Sequence, residues 1–177
     1  MKRYWLPITL VVVVGAMIGL FAVANQPAPT VTAPPVIGDK HPDLGQKHIA
    51  VGDAHIAYNS NLPSSGPHYA EPTPWGIKDA AVVDETLVHN MEHGGIVIAY
   101  KPTLPQAQIN QLKDIFAKLP ASSQFNEVKA VLVPRATNDR PIELAAWTYT
   151  YDLDAPDEAK ILRFYGAHLD KGPELVP

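Results

Sequence analysis

The sequence predicts an α+β fold: a small, mostly antiparallel sheet packed with two or three helices, preceded by an N-terminal transmembrane helix and a proline-rich linker. Three observations carry this expectation. Tyr4 to Ala24 contains no charged residue and follows the basic Met1-Lys2-Arg3. Prolines then crowd the stretch from Pro27 to Pro42. From about His48 onward, apolar residues recur at helix and strand spacing in the order α-β-α-β-β-α, which suits a sheet with helices on one face.

The N-terminal segment comes first. An apolar run from Tyr4 to Ala24 spans roughly 30 Å as a helix, the hydrocarbon thickness of a bilayer. Lys2 and Arg3 should hold their end in the cytoplasm, sending the rest of the chain outward. Ala22-Val23-Ala24 also reads as a small-x-small cleavage site. The chain is therefore expected to be a single-pass cell membrane protein with its C-terminal domain outside the cytoplasm, or secreted if cleaved after Ala24.

Residues 25–47 carry Pro27, Pro29, Pro34, Pro35 and Pro42 and read as a semi-extended spacer. The domain proper is expected at 48–177. Without its first 24 residues the chain has 12 Lys and Arg against 18 Asp and Glu, a formal charge of −6. An acidic domain of this kind is a poor partner for nucleic acid. The chain has no cysteine, which excludes disulfides, thiolate metal sites and cysteine nucleophiles. Any metal must be held by His, Asp, Glu, Met or backbone oxygen.

Within the domain, His48 to Asn61 suggests two short strands around Gly52-Asp53. Leu62 to Ile77 holds Pro63, Pro67, Pro72 and Pro74 and reads as a rigid, irregular loop of the kind that is usually functional. Asp84 is the expected N-cap of a short helix that stops at Gly94. Gly95 to Tyr100 is a buried strand by its β-branched content. Thr103-Leu104-Pro105 opens a second helix with Ile109, Leu112, Phe116 and Leu119 on its apolar stripe. Glu127 to Pro134 and Ile142 to Leu153 read as two further strands. A last helix starts near Asp154-Ala155-Pro156-Asp157 and runs to about Leu169.

The chemistry concentrates in His89-Asn90-Met91-Glu92-His93. Residues four apart on a helix share a face, so His89 and His93 can offer two imidazole nitrogens to one metal ion. Leu87, Val88 and Met91 fall on the other side and should point into the core. His68, stiffly held beside Pro67, is the third candidate ligand. His168, on the apolar side of the last helix, is a fourth, with a structural buried role as its alternative. Glu92 suits ligation, a hydrogen bond to a ligating histidine, or a general base. His41, His48 and His55 lie in the linker or at the start of the domain, where exposed or hydrogen-bonded polar roles are expected.

The same run fits His-x-x-Glu-His, the inverted zinc-peptidase motif, in which the glutamate activates water. Gly94-Gly95 ends the helix at once, however, unlike the long helix such enzymes need. No serine-hydrolase elbow, phosphate-binding loop or dinucleotide fingerprint is present.

Three stretches together carry a family resemblance: Tyr58-Asn59-Ser60-Asn61-Leu62-Pro63-Ser64-Ser65-Gly66-Pro67-His68-Tyr69, Glu85 to Ile98, and Gly172-Pro173-Glu174. They resemble the bacterial and archaeal family called domain of unknown function 3105, over about Tyr58 to Glu174. The resemblance implies exported or membrane-anchored proteins, with recurring histidines matching His68, His89 and His93 and a glutamate at Glu92. It implies no catalytic role.

The functional expectation is an extracytoplasmic metal-binding domain, with copper favoured over zinc, acting in metal transfer, buffering or sensing. The partners are then the metal ion and the membrane. A zinc-dependent hydrolase and a non-metal structural or interaction module are the alternatives.

Overall fold

Period-two alternation decides the architecture. In β5 (Ile96–Tyr100), β6 (Ala130–Pro134) and β7 (Ile142–Ala146) nearly every residue is buried, so both faces of the sheet must be covered. Ile96, Ile98, Tyr100, Ala130, Leu132, Ile142 and Leu144 belong to one core cluster; Val97, Ala99, Val131, Val133 and Ala145 belong to a second. Successive side chains point to opposite sides of a strand, so the two clusters are the two faces of one sheet. The computed structural model describes residues 36–177.

The sheet has six strands in the order β1-β8-β7-β5-β6-β4, where β1 is Asp39–Lys40, β4 is Gly76–Ile77 and β8 is Tyr149–Leu153. The β1–β8, β8–β7 and β7–β5 pairs are antiparallel, and β5–β6 and β6–β4 are parallel. A two-stranded parallel pair, β2 (His48–Ile49) with β3 (His68–Tyr69), stands apart from it. Among the described residues three helices complete the α+β domain: α1 (Asp84–Glu92), α2 (Gln106–Phe116) and α3 (Glu158–His168).

The first face is covered by α2, through Ile109, Leu112 and Ile115, and by α3, through Ile161, Phe164 and Tyr165. The second face takes Leu87, Val88 and Met91 of α1, together with Leu62 and Trp147. The helices therefore lie on both faces rather than one. At about 1.5–3 kcal/mol for each fully buried side chain, the three apolar residues of α1 are enough to seat a helix too short to hold by itself.

Four local expectations change. The chain from Ile142 to Leu153 is a hairpin, not one strand: Thr148 turns it at φ +62°. The turn is held from outside, with Thr148 N–H donating to Ser64 O at 2.8 Å and Thr148 O accepting from His41 N–H at 2.8 Å. Nothing in the Trp147-Thr148 dipeptide signals such a turn, because the contacts that stabilise it are remote in sequence.

Gly52-Asp53 does form a turn, with Asp53 N–H donating to Ala50 O. Only the strand before it exists, however, and that strand pairs with β3. Asp84 is not the N-cap of α1; Val83 is, with no side-chain cap bond. Asp84 instead binds the Arg135 guanidinium through both carboxylate oxygens, at 2.7 Å each.

Finally, the compact unit runs Val36–Pro177, so its first strand lies in a stretch whose composition reads as spacer. Ile37 is buried and His41 Nε2 meets Thr150 Oγ1 at 2.7 Å. The expected membrane-spanning segment and the first part of the linker lie outside the described residues. Among the described residues, no helix is long and apolar enough to cross a membrane.

Candidate metal centre

The site is built at the C-terminal end of α1. Leu87, Val88 and Met91 are fully buried against the sheet, which fixes the rotation of the helix. His89 and Glu92 are then carried on its other side, as the sequence periodicity predicts for His89. That side is covered rather than open: His89 is 4% exposed and Glu92 1%. Asn90 locks the covering loop, accepting from Thr73 N–H at 3.0 Å and donating to Thr73 O at 2.8 Å.

The helix stops where Gly94 takes φ +81°. Gly94 N–H donates to Met91 O at 2.9 Å and Gly95 N–H to Asn90 O at 3.0 Å, the two bonds of a Schellman cap.

His68 comes from the proline-fenced loop, which is pinned on every side. Tyr58 Oη donates to Pro67 O at 2.6 Å, Gly66 N–H to Gly45 O at 3.0 Å, and His68 N–H to Lys47 O at 3.0 Å. Gly66 holds φ +120°, and a side chain there would press on the Tyr58 ring and Leu44 at 3.2 Å. The result is a fully buried imidazole, His68, on a rigid backbone.

The same parallel pairing brings in a residue that local sequence reading leaves aside. β2 and β3 align His48 directly with His68, placing the His48 ring 4.8 Å from that of His68 and 5.1 Å from that of His89. His48, His68, His89 and Glu92 each offer one ligand atom, all within 4.8 Å of one another. His68 Nε2 lies 2.9 Å and His48 Nε2 3.3 Å from Glu92 Oε2. Four donors around a tetrahedral ion at about 2.0–2.1 Å stand roughly 3.3 Å apart, so small side-chain adjustments bring this set into a coordination sphere.

Hydrogen bonding sets the tautomers. His68 Nδ1 lies 2.8 Å from Gly66 O, and His89 Nδ1 lies 2.8 Å from Tyr69 O. A nitrogen facing a carbonyl must donate, so in each neutral ring the Nε2 lone pair is turned into the cluster. Such outer bonds are what orient ligating histidines in metal sites. In the neutral form of His68, Nε2 and Glu92 Oε2 are two acceptors at hydrogen-bond distance. That contact needs a proton or a cation between them.

Burial pushes the pKa of His89 and of His93 below the ordinary histidine value. Both imidazoles are therefore neutral near pH 7, as ligation requires.

Of the residues expected at the site, His68, His89 and Glu92 converge. His93 stands beside the group: its Nε2 is 2.9 Å from His89 Nε2 and 3.7 Å from Glu174 Oε2. His168 has another role. It is buried between Tyr149 and Phe164, with Nε2 at 2.8 Å from Ile37 O, so it is a structural histidine. His41 and His55 are hydrogen-bonded polar residues, His55 through Ile56 O and Glu85.

With this geometry in hand, family membership can be assigned. The family described as "Protein of unknown function (DUF3105)" matches residues 50–176, and the chain belongs to it. No curated protein and no solved structure matches the chain. His48 lies just ahead of the matched segment, whereas His68, His89, Glu92 and His93 lie inside it.

Proposed function

We propose that the domain binds a divalent transition metal through His48, His68, His89 and Glu92, outside the cytoplasm, and serves in metal transfer, buffering or sensing. The observation that carries this reading is the unresolved contact at the centre of the cluster. Buried His68, whose Nδ1 is already committed to Gly66 O, and buried Glu92 turn Nε2 and a carboxylate oxygen on each other at 2.9 Å, with two more histidines alongside. A bound cation resolves that conflict.

Copper(II) is the favoured ion and zinc the next. Three imidazoles and a carboxylate suit both, and copper stands at the top of the divalent affinity order. The donor set holds no sulfur, since the chain has no cysteine and Met91 is packed in the core. Oxidised copper is thereby preferred over cuprous ion. The extracytoplasmic location rests on the charge-free run behind Lys2 and Arg3.

A hydrolytic role needs Glu92 to work on a water rather than on the metal. Its carboxylate instead shares the ligand cluster with His48 and His68, and four protein donors leave no open position of the kind catalytic zinc keeps. Binding is the better-supported function.

The test is elemental analysis of the full-length chain after exposure to equimolar Cu²⁺ or Zn²⁺, with thermal melts alongside. About one ion per chain and a raised melting temperature are expected. His48→Ala should weaken binding by at least the 10–100-fold that loss of a supporting hydrogen-bond partner already costs at metal sites. His55→Ala should leave it unchanged. No retained metal and no thermal shift with either ion would end the proposal.

A further inference from the structure

We infer that His93 and Glu174 form an outer metal subsite through which an ion passes to the inner cluster, with His89 as the ligand shared between the two. This rests on the metal-binding reading above and adds a route to it.

His89 has one ring nitrogen left to offer a metal, Nε2, because Nδ1 is committed to Tyr69 O at 2.8 Å. Nε2 is the nitrogen His89 can turn to the inner group, and it lies at hydrogen-bond distance, 2.9 Å, from His93 Nε2. In that contact neutral His93 donates its Nε2–H to the His89 lone pair; once the His93 proton sits on Nδ1 instead, both nitrogens can bind the same ion, or pass it from one to the other with a small shift of either ring. His93 Nε2 in turn stands 3.7 Å from Glu174 Oε2. A nitrogen and a carboxylate oxygen thus flank the cluster on one side.

Exposure gives the direction. The His68 and Glu92 side chains are 0% and 1% exposed, against 14% for His93 and 45% for Glu174. An ion arriving from water first meets the Glu174 carboxylate, then His93, then His89, losing hydration in steps. Each step exchanges one ligand for another, so the ion is never stripped bare.

The fold holds this outer pair in place independently of the metal. Glu174 N–H donates to Glu92 O at 3.0 Å. Buried Lys129 donates to both His93 O and Val176 O, bracketing Glu174 on the chain. Both anchors use backbone atoms, so the Glu174 and His93 side chains can be exchanged without releasing the segment.

The experiment is stopped-flow transfer of Cu²⁺ between a weak chelator and the full-length chain, followed by quenching of tryptophan fluorescence; Trp147 lies 6.3 Å from His68 between ring centroids. Wild type, Glu174→Gln and His93→Gln are compared, with a thermal melt of each as the folding control. The expected result is that both variants load and release copper more slowly: Glu174→Gln on the order of tenfold, because it removes the charge that draws the ion in, and His93→Gln because it removes the nitrogen that hands the ion to His89. Their equilibrium affinity and their stoichiometry should stay within about twofold of wild type.

Wild-type rates in both variants would overturn the inference and place entry at His48, whose side chain is 44% exposed. A loss of affinity in proportion to the loss of rate would overturn it too, making His93 and Glu174 permanent ligands. Failure of the wild-type chain to bind copper would instead sink the metal-binding reading, and the route with it.

Discussion

At the scale of single residues, the buried histidines divide by what their second nitrogen meets. His89 satisfies Nδ1 on a carbonyl and turns Nε2 toward other ligands. His168 places Nε2 on Ile37 O and packs its ring between Tyr149 and Phe164, so it is part of the core. Burial lowers its pKa from the ordinary value of 6.5. A histidine with a depressed folded-state pKa adds nothing to the pH dependence of stability above 6.5, where both states are neutral. Below that value the unfolded chain takes up the proton first, so stability falls with pH until the folded pKa is passed. His168→Gln keeps an N–H donor for Ile37 O and cannot titrate. In chelator-treated protein, the melting temperature of this variant should fall less steeply than that of wild type between about pH 6.5 and 5. Parallel slopes would show that His168 does not contribute. The residue scale is also where sequence reading reached furthest and missed most plainly. His89 and Glu92 were legible because helical periodicity is local, and His68 because its proline neighbours are. His48 was not, since the bridge that pairs it with His68 spans the whole intervening loop and is only two residues long.

At the scale of elements, the site is the meeting of a helix end with three chain segments that are not helical. α1 was legible from its Leu87-Val88-Met91 face and its Gly94 stop, the strands β5 and β6 from their β-branched and apolar runs, and β7 as the start of a stretch rich in Trp147, Tyr149 and Tyr151. The hairpin of β7 with β8 was not, because its turn is stabilised by Ser64 and His41 rather than by turn residues. The third stretch of the family resemblance, Gly172-Pro173-Glu174, finds its physical reason here. A Cβ on Gly172 would stand 2.1 Å from Glu92 O, 2.3 Å from Gly94 N and 2.6 Å from Met91 O, all backbone atoms of the α1 terminus. None can move without undoing the helix cap. Gly172→Ala should therefore cost at least 2 kcal/mol or so of stability, in the range of overpacked core substitutions. It should also weaken metal binding, because Glu92 rides on the displaced turn. Denaturant melts with and without Cu²⁺ check both effects. A variant as stable as wild type would mean that the tail does not press on the helix end as the structure has it.

At the scale of the domain, both ends of the described chain close on the site and on the sheet beside it. Near the start, Ile37 is buried and accepts from His168, β1 pairs with β8, Asp43 accepts from Trp147 Nε1 at 3.2 Å, and β2 supplies His48. Near the finish, Asp170 N–H donates to Gly94 O at 2.9 Å and Lys129 grips Val176 O at 2.7 Å. The family match begins at residue 50, after all the N-terminal contributions. A chain shortened to start at Ala50 would thus keep the matched segment and lose the β1 strand, the Asp43 bond and the His48 ligand. Burial of Ile37 alone is worth about 1.5–3 kcal/mol, and the lost hydrogen bonds add roughly 1 kcal/mol each. At some 2–4 °C per kcal/mol for a domain of this size, a fall of about 10 °C in melting temperature is expected for the shortened chain without metal. A chain starting at Val36 is the matched comparison, since it keeps every one of these contacts. Metal separates the two further. Ligand at 100 times its dissociation constant stabilises the folded state by about 2.7 kcal/mol, a gain open to the longer chain and largely closed to the one without His48. If both chains respond equally to Cu²⁺, the N-terminal strand is a structural brace only, and the ligand set must be completed from within residues 50–176.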